Sequence, residues 1–305
     1  MNKNAFLFQG VGSNLEKAVS VFKPDERVFF DKLCSSASDI AGINISGYFE
    51  DKDNMSQLDR YFAEWIITGL CDITVFESFR NAGINPDYIV GYSLGLNNAV
   101  YCSGSIDFEG TIQILTGIIA EIGEKLYSQE KYDMGVVIGL DYDLVNELIS
   151  AYSSRDKVTV ASENSKNMIV ITGLYDEVEN ILNRCVQEGA VKAMSLHVPV
   201  AFHSGIATPD APYYIKAVES ISYRDSKVPV ISAYDHRELR TAEDILNEQR
   251  RNFVNPMRWK NTIEHLEKIG VRNFYDMSTL GANKKASSLM FRDSSFKTIK
   301  SLRNL

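Results

Sequence analysis

Short apolar runs alternate with polar, periodic segments along this chain. Ala5-Phe6-Leu7-Phe8 is a buried-strand candidate that runs into a glycine-rich turn, Gln9-Gly10-Val11-Gly12-Ser13. Residues 58–82 place Phe62, Trp65, Ile66, Leu70, Ile73 and Phe76 at helical spacing, and Asn81-Ala82-Gly83 supplies a stop. Pro86-Asp87-Tyr88-Ile89-Val90 reads as a short strand. It is followed by Gly91-Tyr92-Ser93-Leu94-Gly95 and a helix to about Cys102. Strand, tight turn and helix in succession predict an α/β fold.

The middle of the chain has a different order. Residues 134–140 read as a strand, 142–152 as a helix, and 158–163 and 168–172 as strands joined by a loop, Asn164-Ser165-Lys166-Asn167. A helix over 176–188 and a strand over 191–197 complete a βαββαβ unit, the order of a ferredoxin-like domain. The strand-like Val228-Pro229-Val230-Ile231-Ser232 and a helix over 259–269 then resume the earlier alternation. A chain of 305 residues has room for about two domains. The expectation is therefore one α/β domain over 1–129 and 198–305, split by an inserted ferredoxin-like domain over 130–197.

Composition narrows the function. The chain is 24% charged and 45% hydrophobic, typical of a globular protein with a sizeable core. Its 32 basic and 40 acidic residues give a net charge of −8, which argues against general nucleic-acid binding. Four scattered Cys without a C-x-x-C pair argue against a zinc ribbon or a disulfide scaffold, so no metal and a cytoplasmic setting are expected. The apolar run at the N-terminus is too short for a signal-peptide core. The longest uncharged stretch, 88–106, holds Asn97, Asn98 and three Gly, so no membrane span is expected.

Gly91-Tyr92-Ser93-Leu94-Gly95 fits G-x-S-x-G. The pattern holds a Ser hydroxyl exposed on a strained strand-to-helix turn, with flanking Gly residues letting the backbone close in. The Leu94 N–H and the following helix N-terminus would face an oxyanion. The bare pattern also occurs by chance as an ordinary tight turn; the strand before it and helix after it favour a nucleophile. A Ser nucleophile needs a base, and the chain has only four His. His265 falls within the late helix and reads as a solvated residue. His236 lies in a polar turn, and His197 ends a strand where a satisfied core His would also fit. His203 follows an apolar approach, Val198-Pro199-Val200-Ala201-Phe202, and precedes a helix. That position suits a base, although spacing gives it no more than a small preference.

Five stretches together resemble the malonyl-CoA:acyl-carrier-protein transacylase family, which includes the acyltransferase components of polyketide synthases. They are Phe8-Gln9-Gly10-Val11-Gly12-Ser13, Gly91-Tyr92-Ser93-Leu94-Gly95, Ser103-Gly104-Ser105-Ile106-Asp107-Phe108-Glu109, Ala201-Phe202-His203-Ser204 and Asn255-Pro256-Met257-Arg258-Trp259. Their order and spacing agree with the family over almost the whole chain. The resemblance implies an α/β-hydrolase-like large domain carrying the ferredoxin-like insert. It also implies a Ser–His dyad of Ser93 and His203 working by a ping-pong mechanism, without a bound cofactor. The backbone N–H groups of Val11 and Leu94 would form the oxyanion hole, and the backbone carbonyl of Asn252 would orient His203. Tyr92, Ile118, Phe202 and Asn164 would line the acyl pocket, with Asn164 equally readable as a plain turn residue. The implied substrates are acyl-CoA or phosphopantetheine thioesters, the implied partner is an acyl carrier protein, and a monomer is expected.

The departures bear on the substrate. The family's malonyl-specific members carry an Arg 25 residues after the nucleophile to pair with a free carboxylate; here that position is Ile118. No Arg or Lys occurs between Arg80 and Lys125. An aliphatic side chain cannot neutralise a carboxylate, and an unpaired buried carboxylate is costly. The expectation is an uncharged acyl group, acetyl or longer; the alternative is an Arg reaching in from elsewhere. Tyr92 replaces the family's His, Val11 replaces its Gln, and Ser278-Thr279-Leu280-Gly281-Ala282 replaces a G-P-G loop. Three functions compete: transfer of an acyl group from CoA to a carrier protein in polyketide or fatty-acid-like biosynthesis, hydrolysis of acyl groups from carrier proteins, and a non-catalytic carrier-binding module. A basic patch of Arg237, Arg240, Arg250, Arg251 and Arg258 is expected to meet the acidic carrier, with scattered solvated Arg as the alternative.

Overall fold

In a computed structural model the structure describes residues 2–12, 14–206, 211–288 and 290–303. Ser13, quoted above as part of the first turn, lies outside them. Two sheets organise the molecule. The larger has six strands, β1 (Lys3–Phe8), β2 (Tyr88–Gly91), β7 (Val230–Ile231), β8 (Glu238–Leu239), β9 (Val271–Asp276) and β10 (Ser295–Lys297), in the order β10-β9-β1-β2-β7-β8. All neighbours are parallel except β7 and β8. The smaller has β3 (Tyr132–Ile138), β4 (Val158–Ser165), β5 (Met168–Leu174) and β6 (Lys192–Ser195), antiparallel, in the order β4-β5-β3-β6. With the Tyr142–Tyr152 and Tyr175–Gln187 helices this is βαββαβ, the ferredoxin-like arrangement. The molecule is thus a large α/β domain with a small ferredoxin-like subdomain.

The central strand of the large sheet shows why an unbroken apolar run forms it. Ala5, Phe6, Leu7 and Phe8 are all fully buried. Ala5 and Leu7 pack into a cluster with Val90, Phe274 and Trp259, whereas Phe6 and Phe8 pack on the other face with Phe76, Phe79 and Ile89. A strand covered on both faces has no polar side to show water. The Gln57–Asn81 helix is capped by Ser56, whose side chain accepts from the Asp59 N–H, and it is buried along most of its length from Phe62 to Phe79.

Several expected elements shift. The strand expected to end at His197 stops at Ser195. His197 is exposed, takes a left-handed φ of 54°, and places Nδ1 2.9 Å from Ser195 Oγ, so it is not a core histidine. The strand expected over 228–232 shrinks to β7, because only Val230 and Ile231 find ladder partners. Asn164 belongs to β4 rather than to the loop after it. Strand β9 has no counterpart in the sequence reading, since Arg272 and Asn273 interrupt its apolar pattern; it nevertheless pairs along most of β1.

The two lobes are joined by more than the chain. The Glu163 N–H donates to the Met257 carbonyl at 3.0 Å, and the Met257 N–H donates to the Ala161 carbonyl at 2.9 Å. Arg258 grips Glu163 Oε2 through Nε at 2.9 Å and Nη2 at 2.6 Å, and stacks over the Tyr142 ring. Arg258 therefore clamps large domain to small and is not free for a partner. The other expected patch residues are also engaged: Arg237 and Arg251 with Asp235, Arg240 with Glu238, and Arg250 with Glu219. The expected basic patch is thus neutralised by the chain's own carboxylates.

Candidate active site

Strand β2 ends at Gly91, beside the end of β1, and the chain turns at once into the Gly95–Cys102 helix. The turn needs glycine for lack of room. A Cβ on Gly91 would sit 2.3 Å from Leu96 Cα, and one on Gly95 would sit 2.5 Å from the Phe8 carbonyl oxygen. Ser93 between them takes φ 54°, a strained left-handed conformation for a side-chain-bearing residue. The turn sits at the carboxyl ends of parallel strands, where open α/β sheets bind ligands.

His203 arrives from the far side. Its φ is 58°, and its backbone N–H donates to the Phe253 carbonyl at 2.7 Å. The ring is buried, with Nε2 2.9 Å from Ser93 Oγ. For Nε2 to accept the Ser93 hydroxyl proton, the ring proton must sit on Nδ1. Nδ1 is buried with no partner at full hydrogen-bond geometry. Burial pushes the imidazole down to about 4; the nearby backbones of Asn255 and, less, Asn252 oppose this. The neutral ring is the form that can accept a proton at neutral pH. The expected bond from His203 to the Asn252 carbonyl is not made at full geometry; the Asn252 side chain is engaged instead, with Nδ2 donating to the Ser93 carbonyl at 3.2 Å and Oδ1 accepting from the Tyr234 hydroxyl at 2.9 Å.

Ser93 and His203 open onto a cavity of about 370 Å³. Every residue of the expected site reaches it: Val11, Tyr92, Leu94, Ile118, Asn164, Phe202 and Asn252 all line it. The polar ones are already partnered. The Tyr92 hydroxyl donates to Asn164 Oδ1 at 2.7 Å and lies 2.8 Å from Ser162 Oγ, while its ring packs edge-on against Trp259. No Lys, Arg, Asp or Glu lines the cavity among the described residues. Ile118, on the Phe108–Leu126 helix, is 4% exposed.

The sequence reading missed one wall. Met134 and Val136 of β3 and Met168 and Val170 of β5 face the cavity, whereas Val137, Ile169 and Ile171 face the subdomain's own helices. Strict alternation puts successive side chains on opposite faces, so strands apolar at both parities cover two cores. That unbroken apolar run in 168–171 was the available signal. Trp65, Tyr214 and Phe253, with Gly10, Gly12, Leu196 and Val198, complete the lining. The other two histidines stand apart: His236 and His265 stack on each other with centroids 5.6 Å apart. Among the described residues no group of three or more His, Cys, Asp or Glu is placed to hold a metal ion. Among them, too, no helix is long and apolar enough to cross a membrane.

Comparison with known proteins bears on the family and the fold. The chain is 25% identical over 292 residues to the malonyl CoA-acyl carrier protein transacylase of Buchnera aphidicola, covering 95% of this chain and 92% of that protein. It is 26% identical over 294 residues to the transacylase of the same name from Bacillus subtilis, covering 95% and 90%. Among solved structures, the malonyl CoA-acyl carrier protein transacylase of Coxiella burnetii superposes with a TM-score of 0.86 at 22% identity, over 99% of this chain and 95% of that one. A malonyl-transacylase solved in complex with a type II polyketide synthase acyl-carrier protein superposes at 0.85 and 22% identity, over 99% and 100%. These two structural likenesses bear on the fold. The sequence pattern of the acyl transferase domain matches residues 38–279, most of the chain and the stretch that holds both Ser93 and His203, and the chain belongs to that family.

Proposed function

We propose that the protein transfers an uncharged acyl group from coenzyme A to the phosphopantetheine thiol of an acyl carrier protein, through an ester on Ser93. One observation carries the reading: a Ser hydroxyl on a strained strand-to-helix turn, 2.9 Å from a buried neutral imidazole. In the first half-reaction Ser93 Oγ attacks the thioester carbonyl as His203 Nε2 takes its proton. The Val11 and Leu94 N–H groups stabilise the oxyanion, each such donor being worth roughly a hundred- to a thousand-fold in rate. The C–S bond then breaks, and the leaving thiolate takes the proton from His203. The second half-reaction reverses this with the carrier thiol as nucleophile. The relatives' names supply the CoA and carrier parts of the reading; their malonyl group is where this chain departs. Ile118 and the uncharged lining leave a malonate carboxylate without a counter-ion.

The test is intact-mass detection of an acyl adduct after incubation with acetyl-CoA and malonyl-CoA, with and without holo-carrier protein. Acetyl loading followed by transfer to the carrier is expected. Adduct lost to water as fast as to the carrier would make the protein an acyl hydrolase, and no adduct would leave a carrier-binding module. Loading by malonyl alone would overturn the uncharged-acyl assignment.

A further inference from the structure

The apolar surface of the Ser93 cavity does not end there. A second cavity of about 260 Å³ shares Val11, Gly12, Trp65, Leu196 and Val198 with the first, so the two lie side by side with these residues at their junction. Ile118 lines the first; Ile122, about one turn further along the same helix, lines the second. Both are nearly fully buried and form an aliphatic rail between the two. Polar groups on the second cavity are engaged elsewhere: the Tyr61 hydroxyl donates to the His197 carbonyl at 3.2 Å, and Glu64 accepts from the Tyr48 hydroxyl at 3.2 Å. A water molecule's share of liquid volume is about 30 Å³, so the first cavity alone is far larger than an acetyl group. In the acyl-enzyme, once the thiol has left, a cavity holding only an acetyl group would expose Ile118, Phe202 and Val136 to poorly bonded water. Filled with methylenes, it gains for each group taken out of water. Met134 and Met168, unbranched and adaptable, suit a wall against chains of varying length.

Resting on the uncharged-acyl reading above, we propose that the preferred acyl group is a hydrocarbon chain of medium length. Its carbonyl carbon is bonded to Ser93 Oγ, and its tail passes Trp65 and Leu196 into the second cavity beside Ile122. The covalent step is the one already given: the ester C–O bond forms, the thioester C–S bond breaks, and the proton passes through His203 to the departing thiol.

The full chain is incubated in parallel with malonyl-, acetyl-, hexanoyl- and decanoyl-CoA, and the rate of Ser93 acylation is read by intact mass. Hexanoyl and decanoyl loading at least about tenfold faster than acetyl is expected, since one methylene in an apolar pocket already discriminates by about that factor. Acetyl loading without the longer chains would overturn this inference and leave the acyl transfer reading standing. Malonyl loading alone, or no adduct at all, would overturn both. The route is tested with Leu196→Trp, a substitution at a position 41% exposed and so tolerant of added bulk. The ratio of decanoyl to acetyl loading should fall at least about tenfold as the junction narrows. An unchanged ratio would sink the assignment of the tail to the second cavity.

Discussion

Ser93 and His203 both hold a left-handed backbone, φ 54° and 58°, at positions that are not glycine. Strain of this kind persists only where the surroundings over-determine it, and it clusters at functional sites. The histidine's burial has a pH consequence. Its pKa is pushed from 6.5 down to about 4, so the ring stays neutral until the solution is quite acidic. Acylation of Ser93 should hold level from neutral pH to about pH 5 and fall as pH drops through about 4, a profile read by stopped-time mass measurement. A rate that halves near the ordinary histidine pKa would show that the ring is more solvated than its position implies. Stability has the matching sign: between about 6.5 and 4 the unfolded histidine takes a proton that the folded one refuses, so this residue's contribution is lost as pH falls through that window. His203→Ala, which removes the proposed base, should slow acylation roughly a hundred- to ten-thousand-fold. At Ile118, which we propose sets the acyl specificity, the substitution Ile118→Arg should raise malonyl loading relative to acetyl by about tenfold or more; an unchanged ratio would place specificity elsewhere. Ser93 was legible as a single residue because it sits in a local pattern, whereas His203 and Ile118 were singled out by the family resemblance. The hold of the Asn252 side chain on the Ser93 carbonyl was not legible, since the two lie far apart in the chain.

At the scale of elements, the strand-to-helix turn is held by the two glycines of G-x-S-x-G. Their contacts are backbone, which cannot yield: Leu96 Cα 2.3 Å from a Cβ on Gly91, and the Phe8 oxygen 2.5 Å from one on Gly95. Gly91→Ala and Gly95→Ala should each destabilise by more than about 3 kcal/mol or prevent folding, measured by urea midpoint. Gly83→Ala, which meets nothing within 4 Å but has φ +77°, should cost only the price of its backbone conformation, about 1–2 kcal/mol. Equal losses at all three would mean that crowding is not why glycine occupies the turn. The helices and strands with uninterrupted periodicity, Gln57–Asn81 and β1 among them, were readable in advance. Strand β9 was not, because its partner β1 supplies the pairing that Arg272 and Asn273 hide. Nor was β6 readable to its end, because the chain breaks at His197 to return to the large domain.

For the whole molecule, the cavity exists only because two lobes meet. The large domain contributes Ser93, His203, Ile118 and Phe202, and the small subdomain contributes Met134, Val136, Asn164 and Met168. The Arg258–Glu163 pair and the backbone pairing of Met257 with residues 161–163 hold that relation. Arg258→Met removes the charged hydrogen bonds and should cost about 1–2 kcal/mol, discounted because the Arg is 48% exposed. It should also speed amide exchange at Glu163 and Met257. Unchanged exchange would mean that the backbone pairing alone fixes the lobes.

The sequence by itself determined the α/β class, the G-x-S-x-G turn and the ferredoxin-like order, because each is written in neighbouring residues; that Ile118 stands where the family carries an Arg was read from the resemblance. Only the tertiary structure decided which of four histidines reaches Ser93. It also showed that the arginines of the expected patch are tied to the chain's own carboxylates, and that the second face of the small sheet walls the cavity. Those are matters of which distant segments meet, and the pairings that bring them together leave no periodic trace in either segment alone.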